Sequence, residues 1–392
     1  MSSDLKKYYL SDAADVITGF PFKGEKYSST GTRVVRGENI TIGNLRWDTI
    51  KCWNEPFKEI EKYSLEEGDI VIGMDGSRVG KNRAQIRKEE LPLILAQRVA
   101  RLRAKKKFSQ DFLAYIIKSN SFEQYVEAIK TGTSIPHISP QQIKEFEFYA
   151  PNKETQQHIA SILSSLDDKI ELNRQTNQTL EGIAQTLFQE MCVPKGEELL
   201  EGWRVGKLED LIDTISITHK MKQEKIIFLN TSDILEGIVL NDSYSVVSTL
   251  PGQAKKSIKR NDILFSEIRP ANKRYAFVNF DADDYVVSTK LMVLRSKGEI
   301  SPYLIYCYLT SNDTLNQLQQ LAETRSGTFP QITFTQLKDL EIRIPNKSKL
   351  DKLTRNIESI YETIFSNSKE SQTLIALRDS LLPKLMKGEI KI

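Results

Sequence analysis

The sequence predicts an α+β chain: two α/β globules in an internal tandem repeat, separated by two long helices that pack on each other. Three observations carry this. The chain repeats itself at a nearly constant offset. Each repeat mixes β-branched strand patterns with short amphipathic helices, and each closes on a long 3-4 hydrophobic rhythm.

The repeat is read by aligning the chain with itself. LSDAADVITG from Leu10 is answered by LEDLIDTISI from Leu208, and SLEEGDIVIG, with Asp69, by SIKRNDILFS, with Asp262. ILAQRVARLR and VVSTKLMVLR end in Arg103 and Arg295; GTSIPHI from Gly132 matches GTFPQI from Gly327 after one deletion. The offset stays between 192 and 198 throughout, and common order at common offset is hard to produce by chance.

The long helices show the repeat most clearly. In the first, Ile159, Leu163, Leu166, Ile170, Asn173, Asn177, Leu180, Ala184, Leu187 and Met191 mark alternating fourth and third positions, with no proline inside. Adding 194 gives Leu353, Ile357, Ile360, Ile364, Asn367, Ser371, Leu374, Arg378, Leu381 and Leu385. This is a coiled-coil seam, with polar residues at the same two central positions, where they cost stability but fix register. At ~1.5 Å per residue, about 38 residues span roughly 57 Å, far more than a small domain needs for its own core. The two helices therefore read as a ruler.

Residues 1–152 and 194–346 are then the globular parts, and 153–193 and 347–392 the helical segments. GDIVIG and RVARLRA read as strands, FSQDFLAYIIKSNSFEQYVEAIK as two short amphipathic helices. The matching PNK segments, Pro151–Lys153 and Pro345–Lys347, punctuate strand and helix.

Composition sets the class. With 392 residues, 39% hydrophobic and 27% charged, the chain has room for two or more cores. Cys52, Cys192 and Cys307 lie far apart and make no metal-ligand spacing, so a reducing cytoplasm is expected and no metal site. The first residues lack the apolar core of a signal peptide, and the longest apolar runs are too short to cross a bilayer. No H-E-x-x-H, G-x-S-x-G or G-x-G-x-x-G motif occurs. GMDGSRVGKN, with Gly76, Gly80 and Lys81, suggests a phosphate cradle, but it is one residue short between glycines, and Asn82 stands where Ser or Thr would hold magnesium. No catalytic residue is expected in this chain.

Net charge is only +3, so local clusters must identify a partner. From Gly76 to Lys107 there are eleven Lys/Arg against two Glu, and from Lys255 to Arg274 seven against two acids. Basic segments at corresponding places are the footprint expected for duplex DNA, where cations release condensed counterions. Base reading further needs forked donors. One loop offers Arg78, Lys81, Asn82 and Arg83; its counterpart offers Arg269, Asn272, Lys273 and Arg274. The turns at Thr133 and Thr328, followed by His137 and Gln331, are lesser candidates, since their glycines also simply make a turn.

The terminal LIALRDSLLPKLMKGEIKI, the central TLEGIAQTLFQ and the preceding PNKETQQHIASILSSLDDKIELN resemble the specificity (S) subunits of type I restriction-modification enzymes. The resemblance covers the whole chain and is most specific in the helices. The amino terminus departs from it: MSSDLKKYYL lacks the Gly202-Trp203 pair found before the second domain.

The resemblance implies two target-recognition domains held apart by an antiparallel coiled coil, each reading one half of an asymmetric bipartite DNA site. It implies a non-catalytic subunit that docks two modification (methyltransferase) subunits and joins restriction (translocase and nuclease) subunits. S-adenosylmethionine, ATP and Mg would sit on those partners. Two rivals stand beside it: a stand-alone tandem-repeat DNA-binding regulator, and a nucleotide-using enzyme built around Gly76–Lys81.

Overall fold

A computed structural model describes residues 5–56, 59–132, 135–192, 199, 201–325 and 329–390. The chain forms two compact units, residues 1–170 with 372–392, and residues 171–371. The segments expected from the sequence are chain segments; the compact units instead divide both long helices.

In the first unit, β1 (Lys6–Tyr9) forms without a preceding Gly-Trp pair and runs antiparallel to β10 (Glu147–Ala150). The strands between are β2 (Ala14–Thr18), β3 (Thr32–Val35), β4 (Ile42–Gly43), β5 (Cys52–Trp53), β6 (Ile70–Gly73), β7 (Arg83–Gln85), β8 (Leu93–Leu95) and β9 (Val99–Ala104). They form a five-stranded sheet, β2-β9-β6-β7-β4, and a three-stranded sheet, β5-β3-β8, in which β3 and β8 are parallel. Helices Gln110–Lys118 and Asn120–Ile129 follow, each started by a serine whose hydroxyl accepts the N–H of the third helical residue (Ser109 from Phe112, Ser119 from Phe122).

The second unit repeats this plan. β11 (Arg204–Lys207) pairs antiparallel with β22 (Glu341–Ile344). Between them lie β12 (Ile212–Thr214), β13 (Lys225–Leu229), β14 (Ile234–Leu235), β15 (Ile238–Val239), β16 (Tyr244–Val246), β17 (Ala254–Ser257), β18 (Ile263–Ser266), β19 (Tyr275–Phe277), β20 (Tyr285–Ser288) and β21 (Leu291–Ser296). The order β12-β21-β18-β19 is that of β2-β9-β6-β7, and parallel β13–β20 answers β3–β8. Duplication in sequence is thus duplication in topology.

One ion pair recurs in both sheets. Arg103 grips the buried Asp69 with two bonds, Nε to Oδ1 at 2.8 Å and Nη2 to Oδ2 at 2.7 Å. Arg295 grips buried Asp262 the same way, at 2.7 and 2.8 Å. Each Asp also accepts a backbone N–H three residues back, from Glu66 and Lys259. Bidentate pairing with added backbone donors is what a buried carboxylate requires.

The long helices run Lys153–Cys192 and Lys347–Met386. Asn152 and Asn346, 194 residues apart, cap them, their side-chain oxygens accepting from Thr155 and Lys349. None of the twenty seam positions is exposed. In the first unit Ile159, Ala160 and Leu163 enter the domain core together with Leu385, with Leu381, Leu382 and Met386 packed against it. In the second unit Ala184, Phe188 and Cys192 share a core with Leu353, Ile357, Tyr361 and Ile364. The helices are antiparallel: Asn173 bonds the Glu370 and Ser371 side chains, while Asn177, one turn on, bonds Ile364 and Ser368. The seam therefore serves twice, as a helix–helix contact and as a wall of each domain.

Candidate nucleic-acid interface

The basic loops are hairpin connections at one end of each main sheet, 74–82 between β6 and β7 and 267–274 between β18 and β19. Each is closed at its base by a backbone bond, Gly73 N–H to Asn82 O at 2.9 Å and Ser266 N–H to Arg274 O at 2.8 Å.

Each loop is then clamped to the turn segment that was the lesser sequence candidate. In the first unit Gly76 N–H donates to Pro136 O at 3.0 Å, and Ile138 N–H to Met74 O at 2.9 Å. In the second, Arg269 N–H donates to Pro330 O at 3.1 Å, and Ile332 N–H to Glu267 O at 2.9 Å. The structure thus brings together two stretches that the sequence could only nominate separately. Thr133 and Thr328 themselves lie outside the described residues.

Gly76 and Arg269 are structural counterparts, and both are left-handed, at φ +100° and +43°. Glycine takes this conformation freely; arginine does so at a cost of order 1–2 kcal/mol. Lys273, at φ +52°, is a second left-handed side chain in the same loop. Such residues persist only where the surroundings over-determine them, and they gather at functional sites.

A helical scaffold holds each loop. Gly80, at φ +79°, lies so close to Val126 that a Cβ there would come within 2.5 Å of its side chain. In the second unit Ala271 N–H donates to Gln319 Oε1 at 3.0 Å on the helix Asn312–Arg325.

Of the expected contact residues, Arg78 and Lys81 are exposed and Asn82 is half-buried; Arg269 and Asn272 are exposed. Lys273 is half-buried and pairs with Glu236 at 3.2 Å.

One expected contact is corrected, and a second is partly taken up by the fold. Arg83 is buried, and its guanidinium donates to Gly80 O, Lys118 O and Glu123 Oε1 at 2.6, 3.0 and 2.6 Å. Arg274 donates from Nη1 to the carbonyls of Ser232 and Ile234, at 3.1 and 3.0 Å. Arg83 is engaged inside the fold and builds the platform, whereas half-buried Arg274 commits Nη1 to the fold.

The basic runs also divide. Arg101 is buried beside Asp15, and Arg103 is held by Asp69. Lys105, Lys106 and Lys107 are exposed, but they follow the far end of β9, about 20 Å from the loop at ~3.3 Å per residue. Lys256 donates to Leu291 O at 2.7 Å, and burial pushes its ammonium pKa down. Each basic run therefore divides into cations on the loop, cations taken up by the fold, and exposed cations away from the loop, Lys105 to Lys107 in one unit and Lys259 and Arg260 in the other.

Further residues at this edge come from the structure. Arg98, left-handed at φ +66°, reaches Asp75 at 3.1 Å, and Lys290 lies 3.9 Å from Glu267 at the corresponding place. Glu236, left-handed at φ +45° in the tight turn between β14 and β15, sits over Lys273. The Glu236-Gly237 turn signal was present in the sequence, but nothing local tied it to a loop 37 residues away. Among the described residues, no three His, Cys, Asp or Glu side chains gather as a metal site, and no helix is long and apolar enough to cross a membrane.

Two units of one topology, each with a clamped basic hairpin loop, define a tandem-repeat α+β protein. The family described as type I restriction modification DNA specificity domain matches residues 2–182 and 200–374. The chain belongs to that family. It is 41% identical over 184 residues to the type I restriction enzyme HindI specificity subunit of Haemophilus influenzae, a match covering 46% of this chain and 40% of that protein. It is 26% identical over 308 residues to the MjaIX specificity subunit of Methanocaldococcus jannaschii, covering 72% and 69%. The fold is similar to the crystal structure of a type I restriction-modification S subunit from M. genitalium, with a TM-score of 0.64 at 16% identity over 98% of this chain and 97% of that one.

Proposed function

We propose that the chain is the DNA sequence-specificity subunit of a cytoplasmic type I restriction-modification system. Each domain reads one half of an asymmetric bipartite site, and the paired helices set the spacer between the halves. Two modification subunits dock on it and methylate adenine N6 with S-adenosylmethionine, while restriction subunits supply ATP- and Mg-dependent translocation and cleavage. The chain itself contributes recognition and no catalytic group. The observation that supports this most directly is the repeated basic loop: two hairpins with left-handed residues, each at the equivalent end of its own unit's main sheet.

Reading falls to the loops and positioning to their rims. Arg78, Lys81 and Asn82 in one domain, and Arg269, Asn272 and Lys273 in the other, supply donors that a duplex takes at base edges or phosphates. A heptad added to one long helix shifts its end by ~10 Å, on the order of three base pairs, so spacer length changes and half-site sequence does not.

The test is an adenine-methylation map. This chain is expressed with the modification subunit encoded beside it, and host DNA is sequenced for N6-methyladenine. A new bipartite motif, absent without this chain, is the expected result. No new methylation from a demonstrably assembled complex would favour a stand-alone DNA-binding regulator.

A further inference from the structure

Ile135 and Phe329 are the most exposed large apolar side chains among the described residues, at 65% and 71%. They occupy corresponding places in the two repeats, each immediately before the proline whose carbonyl holds the left-handed residue of the basic loop. Two residues on, the bridges Asp75–His137 and Ile268–Gln331 tie each segment to its basic loop, and Ile138 and Ile332 are buried just beyond. Each repeat thus presents a large apolar side chain to solvent beside its basic loop.

Isolated exposed apolar residues are ordinary. Two that are extreme in exposure and equivalent in position need a cause, and burial inside this fold is not it. Phosphate is a poor partner for isoleucine or phenylalanine. The apolar surfaces that DNA offers are the thymine 5-methyl group and the faces of bases at an opened step.

We infer that Ile135 and Phe329 each make an apolar contact with a base, one in each half-site, and act as specificity-determining residues alongside the polar donors of the loops. This rests on the functional reading above.

The experiment uses the full chain assembled with its modification subunit, after the methylated motif has been mapped. Binding to cognate and scrambled duplexes is measured over a range of salt for wild type, Ile135→Ala, Phe329→Ala and the conservative Phe329→Leu. Each alanine variant is expected to lose roughly tenfold in cognate affinity, with a smaller loss for leucine. The salt slope stays unchanged, since no phosphate contact is removed. The methylated motif broadens in one half only, a different half for each position.

Uracil in place of thymine in that half-site separates the two sources of apolar contact. If uracil reproduces the loss in wild type and adds nothing in the variant, the partner is the methyl group. If a 2-aminopurine probe brightens on wild-type binding and stays dark with the variant, the partner is an opened step. Unchanged affinity and motif, an equal loss on scrambled DNA, or failure to assemble with the modification subunit would each overturn the inference. A wild-type complex without site preference would instead remove the functional reading on which it rests.

Discussion

Asn177 and Asn367 clasp each other across the two long helices, Asn367 Nδ2 donating to Asn177 Oδ1 at 2.9 Å. Asn177 is the repeat counterpart of Ser371 and Asn367 that of Asn173, and Asn173 in turn donates to Ser371 at 3.2 Å. The polar layer is therefore the same contact made twice, once from each side. Asn177 Nδ2 also donates to Ile364 O and Ser368 Oγ, both at 3.2 Å, so its amide is anchored at three points.

A double-mutant cycle with Asn177→Ala and Asn367→Ala checks this pairing. Each single change is expected to destabilise by about 1 kcal/mol, with a coupling of about 0.5–1.5 kcal/mol in urea unfolding. Additive effects would mean that the two amides act separately.

Lys81 and Arg83 are two residues apart and should behave oppositely. Lys81→Ala leaves the melting temperature alone, weakens binding about equally on all sequences and lowers the salt slope by about one. Arg83→Ala leaves Glu123 and two carbonyls without their donor and costs about 3 kcal/mol, read as a fall of several degrees in Tm.

Arg269→Gly should relieve backbone strain and impair recognition together. Glycine relieves the left-handed strain, a gain of up to about 1 kcal/mol, while the second half-site loses a cation. Thermal unfolding and the methylation motif measure the two effects. A destabilised variant would show that the Arg269 side chain supports the fold by more than its strain costs.

The thiols should be silent in the native protein. Burial pushes Cys192 and Cys307 up to about 12, and Cys52 is also buried. At pH 7.5 the thiolate fraction of Cys192 or Cys307 is on the order of one in 10,000 or less. An aromatic disulfide reagent is expected to release colour only on denaturation, from three thiols. Rapid native labelling would contradict this packing.

The parts of the fold legible in the sequence were those carried by period. The seam from Ile159 to Met191 and its copy needed only spacing, and the PNK segments marked both helix starts, although capping by Asn152 and Asn346 was seen only in the structure. The alignment placed Asp69 opposite Asp262 and Arg103 opposite Arg295, but it took the fold to show that each Asp binds its Arg. The basic runs were misread for a related reason. Counting charge along a strand ignores that alternate residues face opposite sides, and the partners of Arg83 and Arg101, Glu123 and Asp15, lie far along the chain. Exposure of Ile135 and Phe329 left no local mark at all, since an apolar residue beside a proline reads equally well as core.

The sharing of the long helices has a consequence for synthesis on the ribosome. The first unit's core includes Leu385, with Leu381, Leu382 and Met386 against it, whereas the second unit's core draws on residues 180–365. Translation at about 5–20 residues per second leaves a wait on the order of tens of seconds between Leu163 and Leu385. The domain whose synthesis begins first is thus the later to close, with an apolar wall uncovered until Leu381 to Met386 have been made. A released fragment ending after Ser371 should have a protease-resistant second unit and a first unit that a protease still cuts.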